Sequence, residues 1–218
     1  NLKLNFMLIK FNKILVLAPH TDDGEIGCGG TISKFINEGS KVYYIAFSSA
    51  KESLKQKGFK EDMLVKEVKL ATNVLGIKKK NLILFDYKVR HFPKFRQEVL
   101  EDLIKLKNNL EPDLILMPSL KDIHQDHVTI AKESLRAFKN STILAYEHVW
   151  NNLNFQNTMF IKLNKKNIQT KWKALQKYKS QEMRSYMNEE FIYSLARTRG
   201  VQIGTEYAES FEVVRWVI

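Results

Sequence analysis

Four short runs in this chain are apolar at nearly every position, and no other feature constrains the fold as much. They are residues 13–18 (KILVLA), 41–48 (KVYYIAFS), 114–117 (LILM) and 142–146 (TILAY). A strand with one wet face alternates apolar and polar side chains, whereas a strand without a polar phase is covered on both faces, as in a parallel sheet flanked by helices. The stretches between these runs carry helix signals. Residues 24–39 close on Gly39, residues 59–75 have helical apolar spacing and stop at Gly76, residues 93–110 begin with Pro93 in a first turn, and residues 126–138 follow the third run. With a further short strand at 81–85, this alternation predicts an α/β, Rossmann-like fold, a mostly parallel sheet with helices on both faces. After Trp150 the pattern changes to a strand at 155–163, helices at 165–179 and 189–198, and a closing strand at 211–217. No repeat, low-complexity tract or linker interrupts it. The expectation is one domain over residues 7–218 with an elaborated C-terminal third. Residues 1–6 read as a leader, with Met7 the natural start.

In open α/β sheets, sites form beyond the carboxyl ends of the strands. Two clusters fall there. Pro19-His20-Thr21-Asp22-Asp23-Gly24-Glu25 follows the first run, and His124-Gln125-Asp126-His127 follows the third. Right-handed crossovers bring both loops to the same edge, so the clusters can meet. Two imidazoles and one carboxylate leave positions open on a metal, a catalytic rather than a structural arrangement. Adjacent side chains point in different directions, so only one of Asp22 and Asp23 is a ready ligand. The other is free to act as a base towards water acidified by the metal. The glycine-rich stretch from Gly24 to Gly30 is not a dinucleotide fingerprint and reads as close packing of a helix start on the sheet.

Composition narrows the setting. The net charge is +11, but the lysines are spread over residues 51–60, 78–80 and 162–179, so solvated helix faces are expected rather than a nucleic-acid surface. What the charge does favour is an anionic small molecule. Cys28 is the only cysteine, which excludes an internal disulfide and fits a reducing, cytoplasmic setting. No apolar stretch reaches the roughly 18 residues of a membrane span.

The run from Ala18 to Gly30, with His124-Gln125-Asp126-His127 in order after it, resembles the signatures of the PIG-L (LmbE-like) deacetylase family. Arg199-Gly200, Gly204, Tyr207-Ala208-Glu209 and Phe211 are similar to that family's C-terminal region. The resemblance implies a metal-dependent hydrolase of linear amides that removes N-acetyl groups from N-acetylglucosamine-type sugars and their conjugates. It also implies zinc, or another divalent metal such as Fe2+, and frequent homo-oligomers. Carried over by motif, His20, Asp23 and His127 would bind the metal and Asp22 would be the general base. A protonated His124 would stabilise the oxyanion or protonate the leaving amine, oriented by Asp126. Thr21 stands where proline is common, and Gly24 where many members have an acid, with Glu25 one place later.

From their place after strands, Arg90, Glu147, His148, Trp150 and Asn151 are the expected sugar-pocket residues. Two other readings compete. A non-haem iron triad also uses two His and one carboxylate, but usually in a β-barrel and in His-x-Asp spacing, whereas the implied pair here, His20 and Asp23, is His-x-x-Asp in an α/β setting. A basic α/β protein that binds an anionic glycan or nucleic acid without catalysis would explain the charge and leave the metal-and-base set without a use.

Overall fold

The computed structural model describes residues 10–56 and 58–217, so the expectations for residues 1–6 and Met7 lie outside the described residues. Seven strands form one sheet: β1 (Lys13–His20), β2 (Lys41–Ser48), β3 (Leu82–Leu84), β4 (Leu114–Pro118), β5 (Thr142–Tyr146), β6 (Met159–Leu163) and β7 (Tyr207–Arg215). Their order is β3-β2-β1-β4-β5-β7-β6. The first five run parallel, while β7 is antiparallel to both β5 and β6.

The helices are α1 (Asp23–Asn37), α2 (Lys51–Gln56), α3 (Met63–Leu75), α4 (Arg96–Leu110), α5 (Gln125–Ala137), α6 (Lys165–Leu175) and α7 (Glu189–Val201). They cover both faces. Along β1, Ile14, Val16 and Ala18 join the core that holds Ile32 of α1, Val68 of α3 and Ile168 of α6. Leu15 and Leu17 point the other way, into the core with Leu103 of α4 and Ile130 of α5. Each β1 side chain thus meets a helix layer, which is why the run has no polar phase.

The differences from expectation have local causes. α2 carries the polar sequence KESLKQ, and Leu54 has its side chain fully in the core. α6 ends at Leu175, four residues early, because the chain tightens into a 3-10 turn at Lys179–Gln181. β7 begins at Tyr207 rather than 211: its first half pairs with β6 and its second with β5. The buried acids Glu209 and Glu212 hide that strand from an apolar-run reading.

Glu209 also explains the glycine-rich start of α1. The helix is broken at Cys28 (φ −147°, ψ 26°). Beyond the break, the Gly30 and Thr31 N–H groups donate to the Glu209 carboxylate at 3.0 and 2.7 Å, and Lys171 Nζ pairs with it at 2.7 Å. A side chain at Gly27 would overlap the Tyr146 ring, so helix and sheet approach closely there. Among the described residues, no helix is long and apolar enough to cross a membrane.

Candidate active site

β1 and β4 are neighbours whose following connections leave towards opposite sides of the sheet, the switch point where such folds open a crevice. His20 ends β1 and Asp23 opens α1, while His124 caps α5 and His127 stands in its first turn. All four line one cavity of about 480 Å³, together with Asp22, Arg90, Trp150 and Asn151.

Three atoms converge in it. His20 Nδ1 and His127 Nε2 lie 3.1 and 3.2 Å from Asp23 Oδ2, and 3.3 Å from each other. Ligand atoms of a four-coordinate shell with bonds of roughly 2.0–2.1 Å stand about 3.3–3.4 Å apart, so the triangle fits one small divalent ion and leaves a position open. The far ring nitrogens agree: His20 Nε2 faces Asp126 Oδ2 at 3.1 Å and His127 Nδ1 faces Asp122 Oδ2 at 2.7 Å. Each outer carboxylate fixes the tautomer that turns a lone pair inward, the usual support of a metal-bound imidazole.

The electrostatics favour a cation. Burial opposes charge on His20 and His127, but Asp23 and the outer carboxylates outweigh it and raise their pKa values to about 9 and about 10. Burial likewise pushes Asp23 up, yet His127 and His20 hold it well below the usual carboxylate range. The field that holds protons here would hold a metal in their place.

Asp22 differs from its neighbour. No other described residue donates a hydrogen bond to its carboxylate, which faces the cavity. Burial, and then the charge of Asp23, raise its pKa to about 6, which leaves it ionised at neutral pH but ready to accept a proton.

His124 departs from the expected cation. Its Nδ1 accepts the Asp126 N–H at 3.2 Å as the N-cap of α5, which leaves the ring proton on Nε2. Burial, with the neighbouring His20 and His127, lowers its pKa to about 4, so it is a neutral donor. Asp126 does not orient His124 through its carboxylate. That group takes His20 Nε2 and the Arg90 and Phe92 N–H groups at 2.6 and 3.2 Å. Holding this loop leaves Arg90 in the left-handed region, at φ +67°.

Two expected pocket residues lie elsewhere. The Glu147 carboxylate is paired by Arg199 on α7 and lines a separate, smaller cavity. His148 is buried behind the site, where its Nε2 donates to the Asp23 carbonyl at 3.1 Å and its ring stacks on Trp150. Conversely, Asp122, Gln181, Arg184 and Tyr186 were not expected. Asp122 had a signal, an acid two residues before His124 in the same loop; the other three lie in or just after an irregular turn with none. Asp122→Asn is expected to weaken metal binding by about 10–100-fold, read by competition against a chelator.

Beneath the site, the Thr21 carbonyl accepts the Tyr44 and Tyr178 hydroxyls at 2.9 and 2.7 Å, and both phenols also meet the buried Glu25. The Thr21 hydroxyl itself is buried without a partner among the described residues, so proline or an apolar residue suits this position. Thr21→Val should therefore keep or raise stability, by up to about 1 kcal/mol, seen as a melting temperature equal to or a few degrees above the parent's.

Among proteins of known sequence, the diacetylchitobiose deacetylase of Thermococcus kodakarensis is 28% identical over 120 residues, 53% of this chain and 44% of that protein. The chain thus matches less than half the length of that relative. The conserved protein TT1542 of Thermus thermophilus superposes with a TM-score of 0.79 at 23% identity, over 94% of this chain and 95% of that one. GalB, the 4-carboxy-2-hydroxymuconate hydratase of Pseudomonas putida KT2440, does so at 0.78 and 20% identity, over 95% and 98%. At these identities the structures speak for the fold alone. The family model described as PIG-L, GlcNAc-PI de-N-acetylase, matches residues 15–138, a span that holds both clusters, and the chain belongs to the PIG-L family.

Proposed function

We propose that this chain is a metal-dependent de-N-acetylase that hydrolyses the acetamide of an N-acetylglucosamine-type sugar or conjugate, releasing acetate and a free amine. The observation that carries the reading is the division of labour between adjacent acids: Asp23 is committed to His20 and His127, while Asp22 faces the same cavity with no donor from any other described residue. Family membership and the deacetylase relative support the same reaction. His20, Asp23 and His127 would hold the ion, for which two imidazoles and one carboxylate suit zinc. When bound, the ion supplies Lewis-acid polarisation of the acetamide carbonyl and acidifies the attacking water.

The residues of the chain do the rest. Asp22 takes one proton from the attacking water as the new carbon–oxygen bond forms. His124 presents Nε2–H to the oxygen that gains charge, help worth a few kcal/mol from one well-placed donor. When the carbon–nitrogen bond breaks, Asp22 returns its proton to the nitrogen, so the base is restored and acetate leaves. With His124 taken as a neutral donor, both transfers are given to Asp22.

Arg90 and Arg184 line the cavity, and neither forms an ion pair with a carboxylate among the described residues. That supports a substrate with an anionic group beyond the sugar. We read residues 7–218 as one domain, because β6 and β7 of the last third continue the same sheet, and the single cysteine fits the cytoplasm. The test is acetate release from a panel of neutral and anionic N-acetylglucosamine derivatives, with and without a chelator. Chelator-sensitive release is expected; no release from any member, with metal bound, would sink the reading.

A further inference from the structure

Glu67 lies on α3 with only 5% of its surface exposed, and no lysine or arginine pairs with it among the described residues. A buried carboxyl group is costly unless its hydrogen bonds are made. Here both oxygens are used on one residue: Oε1 accepts the Ser180 N–H at 2.9 Å and Oε2 the Ser180 hydroxyl at 2.6 Å. The hydroxyl proton is thereby committed to Glu67, so the Ser180 oxygen has only lone pairs left. It accepts Gln181 Nε2 at 3.0 Å. That contact decides which end of the Gln181 amide is which, since an amide offers two donors on nitrogen and only acceptors on oxygen. The Gln181 oxygen then takes Arg184 Nε at 3.4 Å.

We infer that Glu67 is a positioning residue for substrate specificity, acting through Ser180 and Gln181 to aim the Arg184 guanidinium at the anionic part of the substrate. Gln181 and Arg184 both line the cavity that holds Asp22 and the three converging ligand atoms. Each link in the chain has one direction, and Glu67 sets it. Two further contacts hold the same segment. The hydroxyl of Tyr178 is fixed to the Thr21 carbonyl beneath the site, and the Tyr186 ring stacks on Trp150 with centroids 3.7 Å apart and planes 4° apart. The segment is therefore tied to the catalytic floor at one end and to the cavity wall at the other. The terminal NH₂ groups of Arg184 have no protein acceptor among the described residues, which leaves them for a carboxylate or phosphate, the groups a guanidinium binds best.

Substituting Glu67 by glutamine keeps the shape and breaks the logic. Its NH₂ would face one of the two Ser180 donors, the hydroxyl would turn, the Gln181 amide would flip, and nitrogen would meet Arg184 Nε. The inference rests on the deacetylase reading, and the experiment separates the two. It compares kcat/KM for a neutral methyl glycoside of N-acetylglucosamine with that for its carboxymethyl glycoside and for N-acetylglucosamine 1-phosphate, all on metal-loaded protein. The parent is expected to prefer the anionic substrates. Glu67→Gln should reduce that preference by about tenfold, as expected when a charged hydrogen bond is lost, and change the neutral substrate by less than about threefold. Arg184→Gln should lose the same preference for the anionic substrates, and the double variant should be no worse than Arg184→Gln alone, because residues on one path are not additive.

A parallel fall for all substrates would make Glu67 scaffold only and overturn the inference. An unchanged preference, or multiplicative effects in the double variant, would overturn it too. If Glu67→Gln does not fold, Ser180→Ala removes the middle link while keeping the backbone N–H to Glu67. It should show the same loss, and an unaltered preference there is equally fatal. A parent that cleaves neutral and anionic substrates alike ends this inference and leaves the deacetylase reading standing. A parent that cleaves none ends both.

Discussion

Asp22→Asn is expected to keep its full metal content and fold while kcat/KM for acetate release falls by about 10²–10⁴-fold, the range for loss of a positioned general base. The split follows from the two acids having different partners. Asp23 is drawn to His20 and His127, so the metal triangle does not need the Asp22 carboxylate. An amide at position 22 is nearly the same size but can neither take the proton from water nor return it to the departing amine. The decisive measurements are turnover and elemental analysis on the same preparation. Turnover near the parent's would take both proton transfers away from Asp22, and loss of metal would make it a ligand instead.

His127→Ala should produce the complementary result: a folded protein that does not retain its metal through dialysis and whose activity falls to background. His127 supplies one corner of the triangle, and its other ring nitrogen is held by Asp122 at 2.7 Å. Removing the ring deletes a ligand and also strands a buried carboxylate, which costs a few kcal/mol. Some loss of thermal stability is therefore expected, and circular dichroism must accompany the metal assay. Undiminished metal in the folded variant would remove His127 from the ligand set.

These two predictions use residues from the two clusters that follow the apolar runs, with the roles of Asp22 and Asp23 told apart by the family resemblance. His20, Asp23 and His127 stand at strand ends and at a helix start, places set by the apolar runs before them. β2 and β5 have the same limits in the structure as in the sequence pattern, because a strand buried on both faces has no other way to be written. What was not legible depended on direction rather than position. The family resemblance implies that Asp126 steadies His124, yet the carboxylate turns to His20 and two loop amides instead. Glu147 follows β5 as a pocket residue would, but Arg199, over fifty positions later, claims it. The wall that carries Gln181, Arg184 and Tyr186 has no periodicity to read, because its place is set by Glu67, Tyr178 and Trp150 rather than by local pattern.

Fold likeness is a weaker guide to chemistry than the site is. The same architecture superposes on proteins described as a hydratase and as a conserved protein without a stated activity. A deacetylase reading of this chain therefore stands on the Asp22–Asp23 division and the family match, not on the sheet.

The contact between Glu209 and the broken start of α1 sets an order of assembly during synthesis. The helix that follows the first metal-ligand pair has two backbone N–H groups, at Gly30 and Thr31, that are met by a carboxylate about 180 residues further along the chain. Until the ribosome has delivered that strand, the buried break in α1 has no acceptor and its stretch of glycines has little to hold it helical. The first motif therefore becomes rigid only once β7, far behind it in the chain, has joined the sheet.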